Sequence, residues 1–261
     1  MEQPLLAMQN LTINYGEQPA VTGATLQIER GEILGIVGES GSGKTTLLKA
    51  AMGLLLEDGA VTGGSICYQG EDMLSMEPER LRGLRGAELG MIFQNTEASL
   101  CPVRTIEKQL YESVQAHRNL SKEEIRKRAL EWMEKMRLKN GERILKSYPF
   151  ELSGGMNQRV GILFAMLLQP KLILADEPTS ALDVTTQAQV IDEMLRMREK
   201  DGTSFLLVTH NIRIVEKMAD RVAVMRQGKI IEYGTKDEVI NQPKEEYTRQ
   251  LLASVLRLKK G

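Results

Sequence analysis

Apolar and polar positions change rhythm several times along the chain. Residues 5–34 predict short strands around turns, and Ile28-Glu29-Arg30-Gly31-Glu32 makes a polar turn before the unbroken apolar run Ile33–Val37. Such a run, bounded by turn residues, predicts a buried strand. The glycine-rich stretch GESGSG follows at once, and Thr45–Met52 then has helical spacing. The order is strand, glycine loop, helix. Residues 61–70 (VTGGSICYQG) predict a hairpin, and hence an antiparallel sheet beside a parallel core.

The rhythm shifts between about residue 96 and residue 152. Ser121-Lys122-Glu123-Glu124 has the form of a capping box, in which hydroxyl and carboxylate satisfy helix-end amides. Ile125, Ala129, Trp132, Met133 and Met136 recur behind it at helical spacing, which predicts an amphipathic helix of four or five turns with these residues as its packing face. Strand patterns return at Leu172–Ala175, Phe205–Val208 and Val222–Met225, separated by helical patterns near 156–168, 184–199 and 212–219. That alternation predicts a parallel α/β sheet. The tail, 244–260, predicts a last helix with a basic end.

Composition narrows the classes. The 261 residues, 42% of them apolar, suffice for one large domain or a core with an inserted lobe. Lys and Arg number 34 against 35 Asp and Glu, so a net charge of −1 gives no whole-molecule attraction for nucleic acid or anionic lipid. Cys67 and Cys101 form no CxxC pair, and with His117 and His210 as the two histidines a structural zinc site or disulfide framework is not expected. No signal peptide is visible, and the longest apolar or glycine run, Val160–Leu168, has nine residues. A membrane span needs about 20. The expectation is a soluble, cytoplasmic chain.

Two features carry chemistry. Gly38-Glu39-Ser40-Gly41-Ser42-Gly43-Lys44-Thr45 satisfies GxxxxGK[ST]. Its glycines let successive amides point at phosphates, Lys44 reaches the β- and γ-phosphates, and the Thr45 hydroxyl ligates Mg²⁺. The helix that follows adds free amides and a favourable dipole end. Further on, the strand Leu172-Ile173-Leu174-Ala175 delivers Asp176-Glu177 to its tip. Asp176 suits the magnesium site and Glu177 a water to be oriented or deprotonated. A small-molecule kinase also uses such a loop, but a glutamate beside the magnesium aspartate favours water as acceptor.

Leu152-Ser153-Gly154-Gly155-Met156 precedes a further helical pattern, with Ser153 as a good N-cap and paired glycines that let a phosphate approach first-turn amides. With GESGSGKT, Gln94 ending GMIFQ, LILADE, SALD and His210 in VTH, the chain resembles the ATP-binding-cassette (ABC) ATPases over about residues 5–250. The resemblance implies an α/β P-loop NTPase of ABC type: a mixed, largely parallel core sheet, an antiparallel β subdomain and an inserted helical lobe. The expected division is residues 1–95 and 153–261 as nucleotide-binding core and 96–152 as lobe.

The resemblance also implies roles. ATP and Mg²⁺ are bound by Tyr15, stacked on adenine, and by Gly38, Ser40, Gly41, Gly43, Lys44, Thr45 and Thr46. Thr45, Gln94 and Asp176 serve the magnesium. Glu177 is the general base, His210 contacts the γ-phosphate and steers the water, and Gln94 links the nucleophile to the lobe. Two cassettes form an antiparallel sandwich in which Ser153, Gly154 and Gly155 act on the opposite subunit's ATP and Asp183 carries signals across the dimer. Expected partners are two membrane permease subunits, a second ABC ATPase and an extracytoplasmic binding protein, with the chain peripheral at the cytoplasmic face of the membrane and no nucleic acid involved.

YPFELSGGMNQRV, ADEPTSALDVTTQAQV and EEYTRQLLASV look most like the importer ATPases for dipeptides, oligopeptides and nickel. Glu245-Glu246 replace the usual His-Pro of that group, and Ser-Leu-Cys-Pro at 99–102 replaces Ser-Leu-Asn-Pro. The absence of a longer cysteine-containing tail leans toward the nickel or metallophore members. Peptide and nickel or metal-chelator cargo both stay open, as do an exporter and a soluble ABC ATPase acting on ribosomes or DNA. A scaffold cassette without activity is disfavoured, because Lys44, Gln94, Ser153, Gly154, Asp176, Glu177 and His210 are all kept.

Overall fold

The computed structural model describes residues 3–257. The chain divides into two compact units, one built from residues up to Leu81 together with those from Ser204 on, the other from Arg82–Thr203.

The first unit opens with β1 (Leu6–Tyr15), β2 (Gln18–Ile28), β3 (Ile33–Val37), α1 (Lys44–Ala51), β4 (Gly59–Tyr68) and β5 (Glu71–Asp72). Strands β2-β1-β4-β5 form an antiparallel sheet in that order. Its first two strands have ten and eleven residues, longer than the short strands expected. Leu6 and Met8 are buried, and so are Leu11 and Ile13, a change of phase that strict alternation forbids. A bulge between Met8 and Leu11 absorbs it, with Asn10 at φ 48°. Asparagine tolerates that left-handed conformation better than most residues. The hairpin expected within 61–70 is displaced: residues 59–68 are one strand, Gln69 and Gly70 turn at φ 49° and 82°, and the return arm is only Glu71–Asp72. Two consecutive positive φ values are what a two-residue hairpin turn of type I′ requires.

Helix α2 (Pro78–Leu84) leads into the second unit, which holds β6 (Leu89–Ile92), α3 (Thr96–Ser99), α4 (Ile106–Gln115), α5 (Lys122–Lys135) and α6 (Gly141–Lys146). A 3₁₀ turn at Pro149–Glu151 precedes α7 (Gly154–Leu167), β7 (Leu172–Asp176) and α8 (Val184–Asp201). Strands β6 and β7 are parallel, from Leu89 opposite Leu172 to Ile92 opposite Ala175. The capping box forms as the sequence predicts: the Ser121 hydroxyl accepts from the Glu124 amide, and Glu124 accepts from the Ser121 amide. Ile125, Ala129, Met133 and Met136 are buried behind it. Trp132 is not in that face; it is half-buried, with Lys135 Nζ 4.5 Å from its ring centre. Burial there would desolvate the indole N–H, whereas the margin satisfies ring and polar tip together.

Helix α7 is apolar nearly all round, with Val160, Ile162, Leu163 and Met166 buried. Each such side chain contributes roughly 1.5–3 kcal/mol by leaving water. The nine-residue apolar run is therefore core, and among the described residues no helix is long and apolar enough to cross a membrane.

The chain returns to the first unit with β8 (Ser204–Val208), α9 (Ile212–Met218), β9 (Arg221–Arg226), β10 (Lys229–Thr235), α10 (Lys236–Asn241) and α11 (Glu246–Arg257). Strand β3 lies between β8 and β9, parallel to both, and β10 is antiparallel to β9. All five residues of β3 and of β8 are buried, the pattern of strands covered on both faces. The basic end expected for the last helix, after Arg257, lies outside the described residues.

Candidate functional site

The glycine loop joins β3 to α1. Gly38 has φ 155°, and a side chain on it would overlap the Met225 carbonyl oxygen at the end of β9. Gly43, at φ 99°, stands where a Cβ would lie 2.7 Å from the Ala20 carbonyl oxygen. The loop is thus pressed against backbone on two sides, which only glycine permits. Gly228 donates its amide to Ser42 O at 3.1 Å, closing the back of the loop. Gly43 gives α1 no side-chain cap, and the positive end of the helix dipole faces the loop.

Lys44 is buried beneath this loop. Its Nζ donates to Gly38 O at 2.9 Å, Glu39 O at 2.6 Å and Ser42 Oγ at 3.2 Å. These neutral acceptors hold the ammonium at the mouth of the cradle, where a phosphate is the stronger acceptor. Ser40 and Gly41 lie exposed at the tip, and Thr45 and Thr46 are half-buried in the first turn of α1. The residues fit a nucleotide phosphate chain with its magnesium. Tyr15, in the same unit, is half-buried with its ring over Gly59, where a Cβ would meet ring carbon Cε1 at 2.7 Å.

Strand β8 runs beside β3, with Val208 opposite Ile36 and the Thr209 amide donating to Ile36 O at 3.2 Å. His210 therefore leaves the sheet next to the glycine loop, and it is exposed. Its corner is fixed on the far side by local bonds: Asn211 N donates to Thr209 Oγ1 at 3.0 Å, and Asn211 Oδ1 accepts from Arg213 N at 3.1 Å.

In the second unit, β6 and β7 end side by side, so Gln94 and the pair Asp176-Glu177 leave adjacent strands in the same direction. Gln94 is exposed; Asp176 and Glu177 are buried. The strand ends at Asp176, so a turn sets the direction of Glu177. Glu177 has φ 46°. A non-glycine residue there costs about 1–3 kcal/mol and persists where its surroundings fix it. Ser180 donates from both its amide and its hydroxyl to Glu177 O, at 3.2 and 3.1 Å, and Gln187 Nε2 donates to Thr179 Oγ1 at 2.9 Å.

Ser153 caps α7 by accepting from the Met156 amide at 3.3 Å. The first turn packs on the SALD segment: a Cβ on Gly155 would lie 3.4 Å from Ala181 O. A Cβ on Gly154 would meet nothing within 4 Å. Asp183 caps α8, accepting from the Thr185 and Thr186 amides at 3.1 and 3.0 Å. The Thr186 hydroxyl and these amides hold its carboxyl below the usual range.

Several contributors escaped the sequence reading. Gln158, 2% exposed in α7, bonds to Phe93 O and Pro178 O. Arg159 donates to Gly155 O and to Met136 O and Arg137 O, tying the end of α5 to the start of α7. Tyr247 of α11 accepts from the Glu39 amide at 3.2 Å, with Arg226 stacked 4.7 Å from its ring centre. A polar residue among apolar ones marks Gln158; nothing local marks the other two. Beside the Gln94 loop, a cavity of about 330 Å³ is lined by Phe93, Leu100, Cys101, Arg104, Gln109 and Phe164.

A family model described as ABC transporter matches residues 21–180. The metal-staphylopine import system ATP-binding protein CntD of Staphylococcus aureus is 40% identical over 252 residues, covering 96% of this chain and 93% of that protein. The oligopeptide transport ATP-binding protein OppD of Bacillus subtilis is 42% identical over 256 residues, covering 96% of this chain and 72% of that protein. Among solved structures, a dimeric bacterial ABC transporter cassette matches with a TM-score of 0.80 and 30% identity, over 88% of this chain and 98% of that one.

Proposed function

The chain belongs to the ABC transporter family as an ATP-binding and ATP-hydrolysing subunit with the P-loop NTPase fold of ABC type, and on that premise we propose that it drives an importer. Its relatives include a metal-chelator importer ATPase and peptide importer ATPases, and uptake of peptides or of nickel and other metal-chelator complexes is the matching proposal here.

ATP is held by the loop amides of Gly38, Ser40, Gly41, Gly43, Lys44, Thr45 and Thr46, with Tyr15 on the base and Lys44 on the β- and γ-phosphates. Thr45, Asp176 and Gln94 would hold the magnesium, which would supply neutralisation of charge on the phosphates. Glu177 takes the proton of the attacking water, and His210 holds the γ-phosphate side of that water. The core comprises residues 1–95 and 153–261, and the lobe 96–152.

One observation supports a second cassette in particular. Among the described residues nothing lies within 4 Å of where a Cβ at Gly154 would stand, and its φ is not left-handed, so the fold itself does not demand glycine there. A γ-phosphate brought by an opposite subunit does, with Ser153 and Gly155 beside it and Asp183 relaying across the dimer. The cavity by Phe93 and the exposed Val103 suit a short apolar helix from one permease subunit, the second cassette taking that of the other. The chain then works peripherally at the cytoplasmic face, and an extracytoplasmic binding protein selects cargo.

Mild-detergent affinity purification of the tagged chain from its native membranes tests this. Two permease subunits, a second cassette and a peptide- or metal-binding protein are expected. Ribosomal or DNA-repair proteins without a permease would overturn the transport reading.

A further inference from the structure

Gln158 sits in the second turn of α7, among the buried residues Val160, Ile162 and Leu163. A buried primary amide is stable in such company when both its ends are bonded. Here Nε2 donates to Phe93 O at 3.1 Å and to Pro178 O at 3.0 Å, while Oε1 accepts from Thr96 Oγ1 at 3.1 Å. Both N–H groups are spent, one on each carbonyl. Those carbonyls flank the chemistry: Phe93 immediately precedes Gln94, and Pro178 immediately follows Glu177. Thr96 is seated against Gly161, where any side chain would overlap its methyl group. One amide thus joins the Gln94 loop, the Glu177 turn and the helix that begins at the signature.

The turn needs such a restraint, because Glu177 holds a left-handed conformation that its own side chain does not favour.

We propose that Gln158 is a positioning residue for hydrolysis, fixing the Gln94 loop and the Glu177 turn to the signature helix so that nucleophile and base keep one geometry. The proposal rests on the reading of Glu177 as general base and Gln94 as its companion. Gln158 touches no phosphate-loop residue in its bonds, so it acts on turnover and not on nucleotide capture.

The test compares assembled pairs of cassettes containing the parent chain, Gln158→Glu or Gln158→Leu, in Mg²⁺ and ATP. Gln158→Glu keeps the shape but sets a carboxylate against two carbonyl oxygens, and burial favours its protonated, single-donor form. Turnover is expected to fall about tenfold or more in both variants, with ATP affinity within about twofold of the parent. Amide exchange across 92–97 and 176–182 rises about threefold in both segments. Lowering the pH from about 8 to about 6 narrows the deficit of Gln158→Glu relative to the parent and leaves that of Gln158→Leu unchanged. Turnover within about twofold of the parent, unchanged exchange in either segment, or a parallel loss of ATP affinity each overturns the proposal. A parent chain that neither binds nor hydrolyses ATP refutes the ATPase reading instead, and exchange in the two segments still decides whether Gln158 joins them.

Discussion

Lys44 and Glu177 are each held in a conformation that the surrounding backbone dictates. The ammonium of Lys44 is surrounded by Gly38 O, Glu39 O and Ser42 Oγ, so the loop is already shaped around a positive charge. A phosphate, as the stronger, charged acceptor, takes over one of these bonds while the ammonium stays in place. Lys44→Ala is expected to weaken ATP binding by at least about tenfold, as removal of a charged hydrogen bond worth about 1.5–3 kcal/mol implies. Equilibrium titration with a fluorescent ATP analogue reads this directly, and unchanged affinity would remove Lys44 from the phosphate site. Glu177 is restrained through its own carbonyl, so its side chain is aimed by a turn that Ser180, Thr179 and Gln187 build together.

At the scale of elements, three helices begin with a carboxylate that caps their amides. Glu124 is held below the usual carboxylate range by the Ser121 amide, Glu238 by the Thr235 amide, and Asp183 by the Thr186 hydroxyl. A carboxyl whose pKa is lower in the folded state stabilises the fold fully above its unfolded value, about 3.9 for Asp and 4.3 for Glu, and loses this as pH falls through the folded value. The combined variant Glu124→Gln, Asp183→Asn, Glu238→Gln should therefore melt below the parent at about pH 6, with the gap narrowing as the pH falls below about 4. A gap independent of pH would show that the charges contribute nothing. A second element-scale prediction concerns α11. Tyr247 accepts from the Glu39 amide, whose carbonyl accepts from Lys44, so Tyr247→Phe is expected to weaken ATP binding about threefold, with Tm lowered by no more than about 4 °C. Calorimetric binding and melting curves separate the two effects; equal affinity would show that α11 does not steady the loop.

These elements also show what a sequence yields. The capping box at Ser121 and the loop at Gly38–Thr45 were legible because their partners lie within a few residues. The bulge at Asn10 and the displaced hairpin turn were not, because each depends on which strand pairs with which. Gln158 bonds to a carbonyl 65 residues away, and Tyr247 to an amide 208 residues away. Such bonds become visible only once the fold brings the segments together.

At the scale of the whole molecule, Gly154 borders a space that none of the described residues fills. Gly154→Leu is expected to leave the melting temperature within about 2 °C and ATP affinity within about twofold, while abolishing hydrolysis by the assembled pair of cassettes. Surviving hydrolysis would place the signature away from the opposite subunit's ATP. The central claim, that this chain hydrolyses ATP with Glu177 as base, is tested most directly by ATP turnover of the Glu177→Gln variant, measured beside its ATP affinity. Turnover about a hundredfold or more below the parent, with affinity within about twofold, is the predicted result. Turnover at the parent's rate, with ATP bound equally well, would contradict it.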